Sequence, residues 1–267
     1  MPEGPSIVIL REQVADFEGR TIVRAQGSSK DVATDELAGQ PILALRTFGK
    51  HFLIRLADRA LRIHLLMFGT YLINQTKEAG RAKPRLSLFF DDDSALHFYT
   101  CSIKTLSDDL DSEYDWRGDV MNDAWSPALA LKKLRAQPDL LACDALLDQT
   151  IFAGVGNIIK NEVLFRVRLH PLSKMGDIPA AKLRALVAQA RAYSFDFLAW
   201  KKEGTLKQHW LAHTKKICPR CNISFLRGHL GKTARRSFYC ARCQKQYPLT
   251  PARSGSTPRS RKTPPAS

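Results

Sequence analysis

Pro2 is where this chain offers a nucleophile. Methionine is commonly trimmed ahead of a small second residue, and loss of Met1 turns the Pro2 nitrogen from an amide into a secondary amine. An α-amino group titrates near about 8 and a lysine near about 10.4, so at neutral pH roughly a tenth of such termini are neutral, against well under a thousandth of lysines. A neutral amine attacks an electrophilic carbon and forms a covalent iminium. Glu3, the next residue, can supply or steer a proton. A Met-Pro start is also what a frayed, inert terminus looks like, and the rest of the sequence has to decide between the two.

Four cysteines make a second chemical group. Cys218-x2-Cys221 and Cys240-x2-Cys243 are separated by 18 residues. Each Cys-x2-Cys turn can aim two thiolates at one tetrahedral zinc ion. Two disulfides are the competing reading, but they need an oxidising compartment. Cys101 and Cys143 stand alone and read as packed thiols. Cations form the third group. The net charge is +15, from 41 Lys+Arg against 26 Asp+Glu, and no acidic residue follows Glu203. A basic C-terminal third suits a polyanion such as nucleic acid. No run of about 18 apolar residues is present, so no membrane span is expected, and the start has no secretory leader pattern.

These groups need elements to hold them. At 267 residues the chain is long enough for two domains with cores. Pro5 to Glu18 predicts a helix ended by Gly19, which ties the terminus to a core. From Thr21 to Leu106 short β-rich runs dominate: 42–48, 51–56, 60–65, 69–73, 85–90 and 95–99. Asp58-Arg59 and Asp91-Asp92-Asp93 supply turns, and the whole predicts a β-sandwich. Ser107 to Asp123 is acidic and irregular, a candidate linker. The pattern then becomes helical, with a start at Ser126-Pro127 and a short helix within 139–147. The glycine turn 152–156 leads into a helix over Asn157 to Arg166. Asp177 is the expected cap of a long helix from Pro179 to Lys202. The tail 250–267 is Pro-rich and basic with nothing to bury, and is expected to be disordered.

Five stretches carry a resemblance. They are Pro2-Glu3-Gly4-Pro5; Phe48-Gly49-Lys50-His51; His64-Leu65-Leu66-Met67-Phe68-Gly69; Gly154-Val155-Gly156-Asn157 with Asn161-Glu162-Val163-Leu164-Phe165; and Arg235 ahead of the Cys240 pair. In this order and spacing the chain, from Pro2 to about Gln246, resembles the formamidopyrimidine-DNA glycosylase/endonuclease VIII family of bacterial DNA glycosylases. The resemblance implies an α+β multidomain fold. An N-terminal β-sandwich with an N-terminal helix spans 1–120, a helix-two-turn-helix domain 121–213, a zinc finger 214–249 and the tail 250–267. DNA would cross the cleft between the halves.

It also implies base-excision repair: removal of an oxidised base, then strand cleavage as an abasic-site lyase. Pro2 would attack C1′ of a nucleotide everted from the stack, and Glu3 would protonate or hydrogen-bond the opening sugar. Lys50 would assist beside the lesion by contacting a phosphate, although a turn lysine alone reads as solvated. Asn157 would bind phosphate together with the free N–H groups of its helix, which Gly154 and Gly156 would let the DNA backbone approach. Arg235 would hold the phosphates flanking the everted nucleotide. Met67, between Leu66 and Phe68, would wedge into the gap left in the stack, where the plain alternative is the end of a core strand. Cys218, Cys221, Cys240 and Cys243 would hold one structural Zn2+. Damaged double-stranded DNA is the implied partner of a monomer working in the bacterial cytoplasm at the nucleoid.

The chain departs from the family at Ser6, where a second glutamate is common, so a paired carboxylate is not available there. Pro-Glu-Gly-Pro and the short connection from Gly204 to Cys218 are nearer to endonuclease VIII, which points to oxidised pyrimidines. Purine lesions, formamidopyrimidine or 8-oxoguanine, are the alternative within the family. A non-catalytic zinc-finger DNA-binding protein on the same fold is the alternative from another class. A zinc-ribbon transcription or translation factor accounts for the cysteines and the charge, but not for the N-terminal set.

Overall fold

The computed structural model describes residues 2–77 and 83–248. The basic tail and part of the polar loop 74–84 thus lie outside the described residues. Helix α1 (Gly4–Gln13) starts with Pro5 in its first turn, where a missing N–H costs nothing. It stops at Gln13, short of the expected Glu18. A 3₁₀ turn at Ala15–Phe17 takes over, and Gly19 at φ +85° reverses the chain.

Two antiparallel four-stranded sheets follow, and they form the expected sandwich. Strands β1 (Arg24–Gly27), β5 (Thr70–Ile73), β6 (Leu86–Phe89) and β7 (Ala95–Tyr99) make one sheet in the order β1-β6-β7-β5. Strands β2 (Ala44–Phe48), β3 (His51–Arg55), β4 (Ala60–His64) and β8 (Ser102–Leu106) make the other, in the order β2-β3-β4-β8. Ile7, Leu10 and Val14 of the helical arm share one buried core with Phe52, Ile54, Leu61, Leu88 and Phe98 from the sheets.

The acidic stretch read as a linker is folded into the body. It holds α2 (Leu110–Glu113) and a 3₁₀ turn at Trp116–Gly118. Tyr114 and Trp116 pack against Phe48 at centroid distances of 4.6 and 5.8 Å. The helical half contains α3 (Pro127–Arg135), α4 (Ala142–Ala145), α5 (Asn157–Arg166) and α6 (Ala180–Lys202). Ser126 caps α3 by accepting the Leu129 N–H at 3.2 Å. Asp177 does not cap α6: it ends a 3₁₀ turn, and Pro179, fixed in φ, takes the cap position. Strands β9 (Leu226–Leu230) and β10 (Arg235–Tyr239) form a hairpin beside the four cysteines. Phe165 of α5 reaches into the small core of that module. Among the described residues no helix is long and apolar enough to cross a membrane.

Candidate active site

The N-terminal stretch is fixed by a buried carboxylate. Glu3 is fully buried and accepts three backbone N–H groups at the start of α5, from Gly156 (3.1 Å), Ile158 (2.7 Å) and Ile159 (3.2 Å). A carboxylate suits that place, because the first N–H groups of a helix lack partners and carry partial positive charge. Burial pushes the Glu3 carboxyl above the ordinary carboxylate range, while the Lys50 charge and the three N–H groups pull it back down. This overturns one expectation. Three N–H groups at the start of α5 are filled by Glu3, so they are not open to a phosphate.

The glycines have a related role. A Cβ on Gly156 would lie 2.4 Å from Glu3 Cδ. Gly154, at φ +100°, meets Gly4 and Gly49 backbone to backbone, and the Gly4 N–H donates to the Gly154 carbonyl at 2.8 Å. These glycines let three distant segments touch each other, where they were expected to admit a DNA backbone.

Lys50 sits on the two-residue turn joining β2 to β3, with Gly49 at φ +56°. Asp119 holds that turn. It is 1% exposed and accepts the Gly49 N–H at 2.9 Å and the Met121 N–H at 2.9 Å. Burial pushes its carboxyl up to about 6. Burial also lowers the Lys50 ammonium; Glu3 pulls it back up and Arg235 adds a downward push. Beside it, burial drives His51 down to about 4, helped by Arg62, His64 and Lys50, so its ring is neutral at neutral pH.

Arg235 opens β10, just past the hairpin turn. Asp144 of α4 grips that turn by accepting from the N–H groups of Lys232 and Thr233 and from the Thr233 hydroxyl at 2.9–3.0 Å. The Asn157 side chain donates to the Arg236 carbonyl at 3.1 Å. Leu66, Met67 and Phe68 lie between β4 and β5 and are 46%, 44% and 78% exposed. They are not a buried strand end. Leu66 has φ +53°, and the Gly69 N–H closes the turn onto the Leu65 carbonyl at 2.7 Å.

One cavity of about 520 Å³ collects these parts. Pro2, Lys50, Met67, Asn157 and Arg235 all line it, as do Phe48, His51, His64, Leu66 and Gln149. Glu3 lies behind its wall, and Phe68 is not among its lining residues. His64 belongs to a stretch already singled out, whereas Gln149 carried no signal in the sequence. The four cysteines form a separate centre, with their Sγ atoms all within 4.8 Å of one another. Cys218 and Cys243 Sγ are 3.8 Å apart, close to the spacing that Zn–S bonds of about 2.3 Å give around a tetrahedron. Cys101 and Cys143 are buried, and burial pushes each thiol up to about 11, which leaves them as inert packing.

Two family models match the chain. The formamidopyrimidine-DNA glycosylase N-terminal domain covers residues 1–101 and the H2TH domain of the same enzyme covers residues 121–204. Endonuclease 8-like 3 of Mus musculus is 32% identical over 76% of this chain, which spans only 34% of that protein. A DNA-(apurinic or apyrimidinic site) lyase of Mycolicibacterium smegmatis is 28% identical, over 91% of this chain and 99% of its own. A Lactococcus lactis formamidopyrimidine-DNA glycosylase, solved non-covalently bound to DNA containing an abasic site, has the same fold. It superposes with a TM-score of 0.79 at 22% identity, over 91% of this chain and 100% of that one. The two models together cover most of the chain, with the cavity-lining Pro2, Lys50, Met67 and Asn157 inside them, and the chain belongs to the formamidopyrimidine-DNA glycosylase/endonuclease VIII family.

Proposed function

We propose that this protein is a base-excision-repair DNA glycosylase and abasic-site lyase. It removes oxidised bases, pyrimidines in preference to purines, through an iminium at Pro2. The observation that carries this is the convergence of Pro2, Lys50, Met67, Asn157 and Arg235, from five separate stretches, on one cavity. With Met1 removed, the neutral Pro2 nitrogen attacks C1′ of an everted nucleotide, the bond from C1′ to the base breaks, and the proton shed by the Pro2 nitrogen passes to the departing base. Opening of the sugar ring leaves a C1′ iminium. The iminium acidifies the neighbouring sugar protons, so the 3′ and then the 5′ phosphate leave by β- and δ-elimination. Glu3, the residue after Pro2, protonates or hydrogen-bonds the opening sugar, and burial raises its carboxyl above the ordinary carboxylate range. Lys50 and Arg235 neutralise phosphates beside the lesion, Asn157 hydrogen-bonds one, and Met67 fills the vacated stack.

The lean to pyrimidines rests on the connection from Gly204 to Cys218. A 3₁₀ turn occupies Leu206–His209, and Glu162 binds the N–H groups of Leu211, Ala212 and His213 at 2.8–3.0 Å. So little free chain remains to fold over a purine. A panel of duplexes bearing oxidised pyrimidines, formamidopyrimidines or 8-oxoguanine, trapped with borohydride, tests both parts. Crosslinking is expected first on the pyrimidine lesions. A preference for 8-oxoguanine would reverse the substrate assignment, and no crosslink on any lesion would remove the enzymatic one.

The four cysteines hold one structural zinc, since protein thiolates fill all four positions. Elemental analysis should find one zinc per chain. Cys240→Ser should weaken binding to uncleavable DNA through the loosened hairpin, while Pro2 remains able to form its crosslink at saturating protein. Unchelated protein without zinc would refute the assignment.

A further inference from the structure

One carbonyl in this molecule has more donors than it can use. Asn157, Lys160 and Asn161 lie on one face of α5, and all three side chains point their N–H groups at the Arg236 carbonyl. The distances are 3.1, 3.2 and 3.3 Å. A carbonyl oxygen has two lone pairs, so one of the three is surplus. Two of them are locked elsewhere. Lys160 is fully buried and also donates to the Ser237 hydroxyl at 2.8 Å. Asn161 is 1% exposed, accepts the Phe238 N–H and donates to the Asn157 carbonyl. Asn157 is the loose one: it lines the cavity, and its side-chain oxygen is buried without a partner.

Lys160 is unusual in its own right. No carboxylate forms an ion pair with it among the described residues. Burial lowers its ammonium to about 8; Cys143, Asp144 and Glu3 pull it back up, and Arg235 pushes it down. Across from it His213 is driven down to about 4 by burial and by Lys160 itself. A buried lysine without an ion-pair partner costs stability, which its bonds to the Arg236 carbonyl and the Ser237 hydroxyl offset only in part.

We propose that Lys160 is a positioning residue: it keeps the Arg236 carbonyl satisfied, so that the Asn157 amide can leave that carbonyl for a DNA phosphate at little cost. The inference rests on the DNA-repair reading above. Its consequence is a selective coupling between Lys160 and Asn157. Without Lys160, the departure of Asn157 strips the carbonyl of a needed donor, and phosphate binding by Asn157 loses its advantage.

The test is a set of double-mutant cycles on the full chain. Dissociation constants are measured for duplex DNA holding an uncleavable abasic-site analogue, with zinc content and melting checked for every variant. Lys160→Met and Asn157→Ala should each weaken binding roughly five- to tenfold, the scale of one hydrogen bond. The double variant should bind no more weakly than Asn157→Ala alone. Arg235→Ala, by contrast, should keep its full effect in the Lys160→Met background, because the hairpin is still in place. Lys160→Gln takes the place of Lys160→Met in the same cycles if the latter melts below the assay temperature. Multiplying effects of Lys160 and Asn157 would overturn the proposal, as would an unchanged affinity on losing Lys160. Loss of the Arg235 effect as well would overturn it too, by making Lys160 a mere prop for the hairpin. If the unaltered protein fails to bind this DNA at all, the repair reading falls and takes the inference with it.

Discussion

Protein that retains Met1 is expected to lose the borohydride-trapped DNA complex, by at least about a hundredfold. The reason lies in one atom. An amide nitrogen has no available lone pair for attack on C1′, whereas a terminal amine near pKa of about 8 is partly neutral at pH 7. Pro2→Gly should also reduce trapping strongly, because a primary amine on a flexible residue is poorly held against the cavity wall that Pro2 now lines. Mass spectrometry of the trapped peptide reads the result directly. A crosslink on Lys50, which burial also makes easier to deprotonate, would move the nucleophile from Pro2 to that lysine.

The second large effect is expected from a single methyl group. In Gly156→Ala the new Cβ falls 2.4 Å from Glu3 Cδ and 2.6 Å from an oxygen of the same carboxyl. Neither partner can move freely, since Glu3 is fully buried and bound to three N–H groups of α5. Relief requires expelling the carboxyl, which orphans those donors. Overpacking and unpaired buried donors each cost about 1–3 kcal/mol, so a loss of about 3 kcal/mol or more is expected in denaturant unfolding. Trapping should fall along with stability, because Pro2 is displaced with Glu3. Gly118→Ala, where an added Cβ would meet nothing nearer than the Thr150 carbonyl oxygen at 3.7 Å, is the control and should cost far less. Equal losses in the two variants would mean that the fit between Glu3 and α5 matters little.

The parts of the site that were legible in the sequence are those whose chemistry is local. Two Cys-x2-Cys turns carry their own geometry, and Gly49-Lys50 sits on a turn that adjacent strand patterns bracket. The sandwich was readable from short apolar runs, although β1 and β8 had no distinct signal: both carry polar, exposed positions at the edges of their sheets. What the sequence hid was the work of the acidic residues. Glu3, Asp119, Asp144 and Glu162 all accept backbone N–H groups from remote segments, at separations of 49 to 156 residues for Glu162 and Glu3. A backbone N–H is the same at every position, so its future partner leaves no mark in the sequence. The same blindness made Asp177 look like a helix cap and made the start of α5 look open to phosphate. It also hid Lys160, which reads as an ordinary surface lysine on a helix until α5 and β10 are brought together.

The bond between Glu3 and Gly156 spans 153 residues, and this sets an order of events during synthesis. On the proposed mechanism the reactive amine, at Pro2, is made long before α5, and free amines react with aldehydes. Its seat is made of residues translated much later, so a nascent or truncated chain holds the amine in no fixed relation to Lys50 or Arg235. On that mechanism, strand cleavage is therefore expected only once the helical half has closed over Pro2. A fragment ending before α5 is expected to trap damaged DNA far more weakly than the whole chain, even if its sandwich folds, because its terminal amine has no seat.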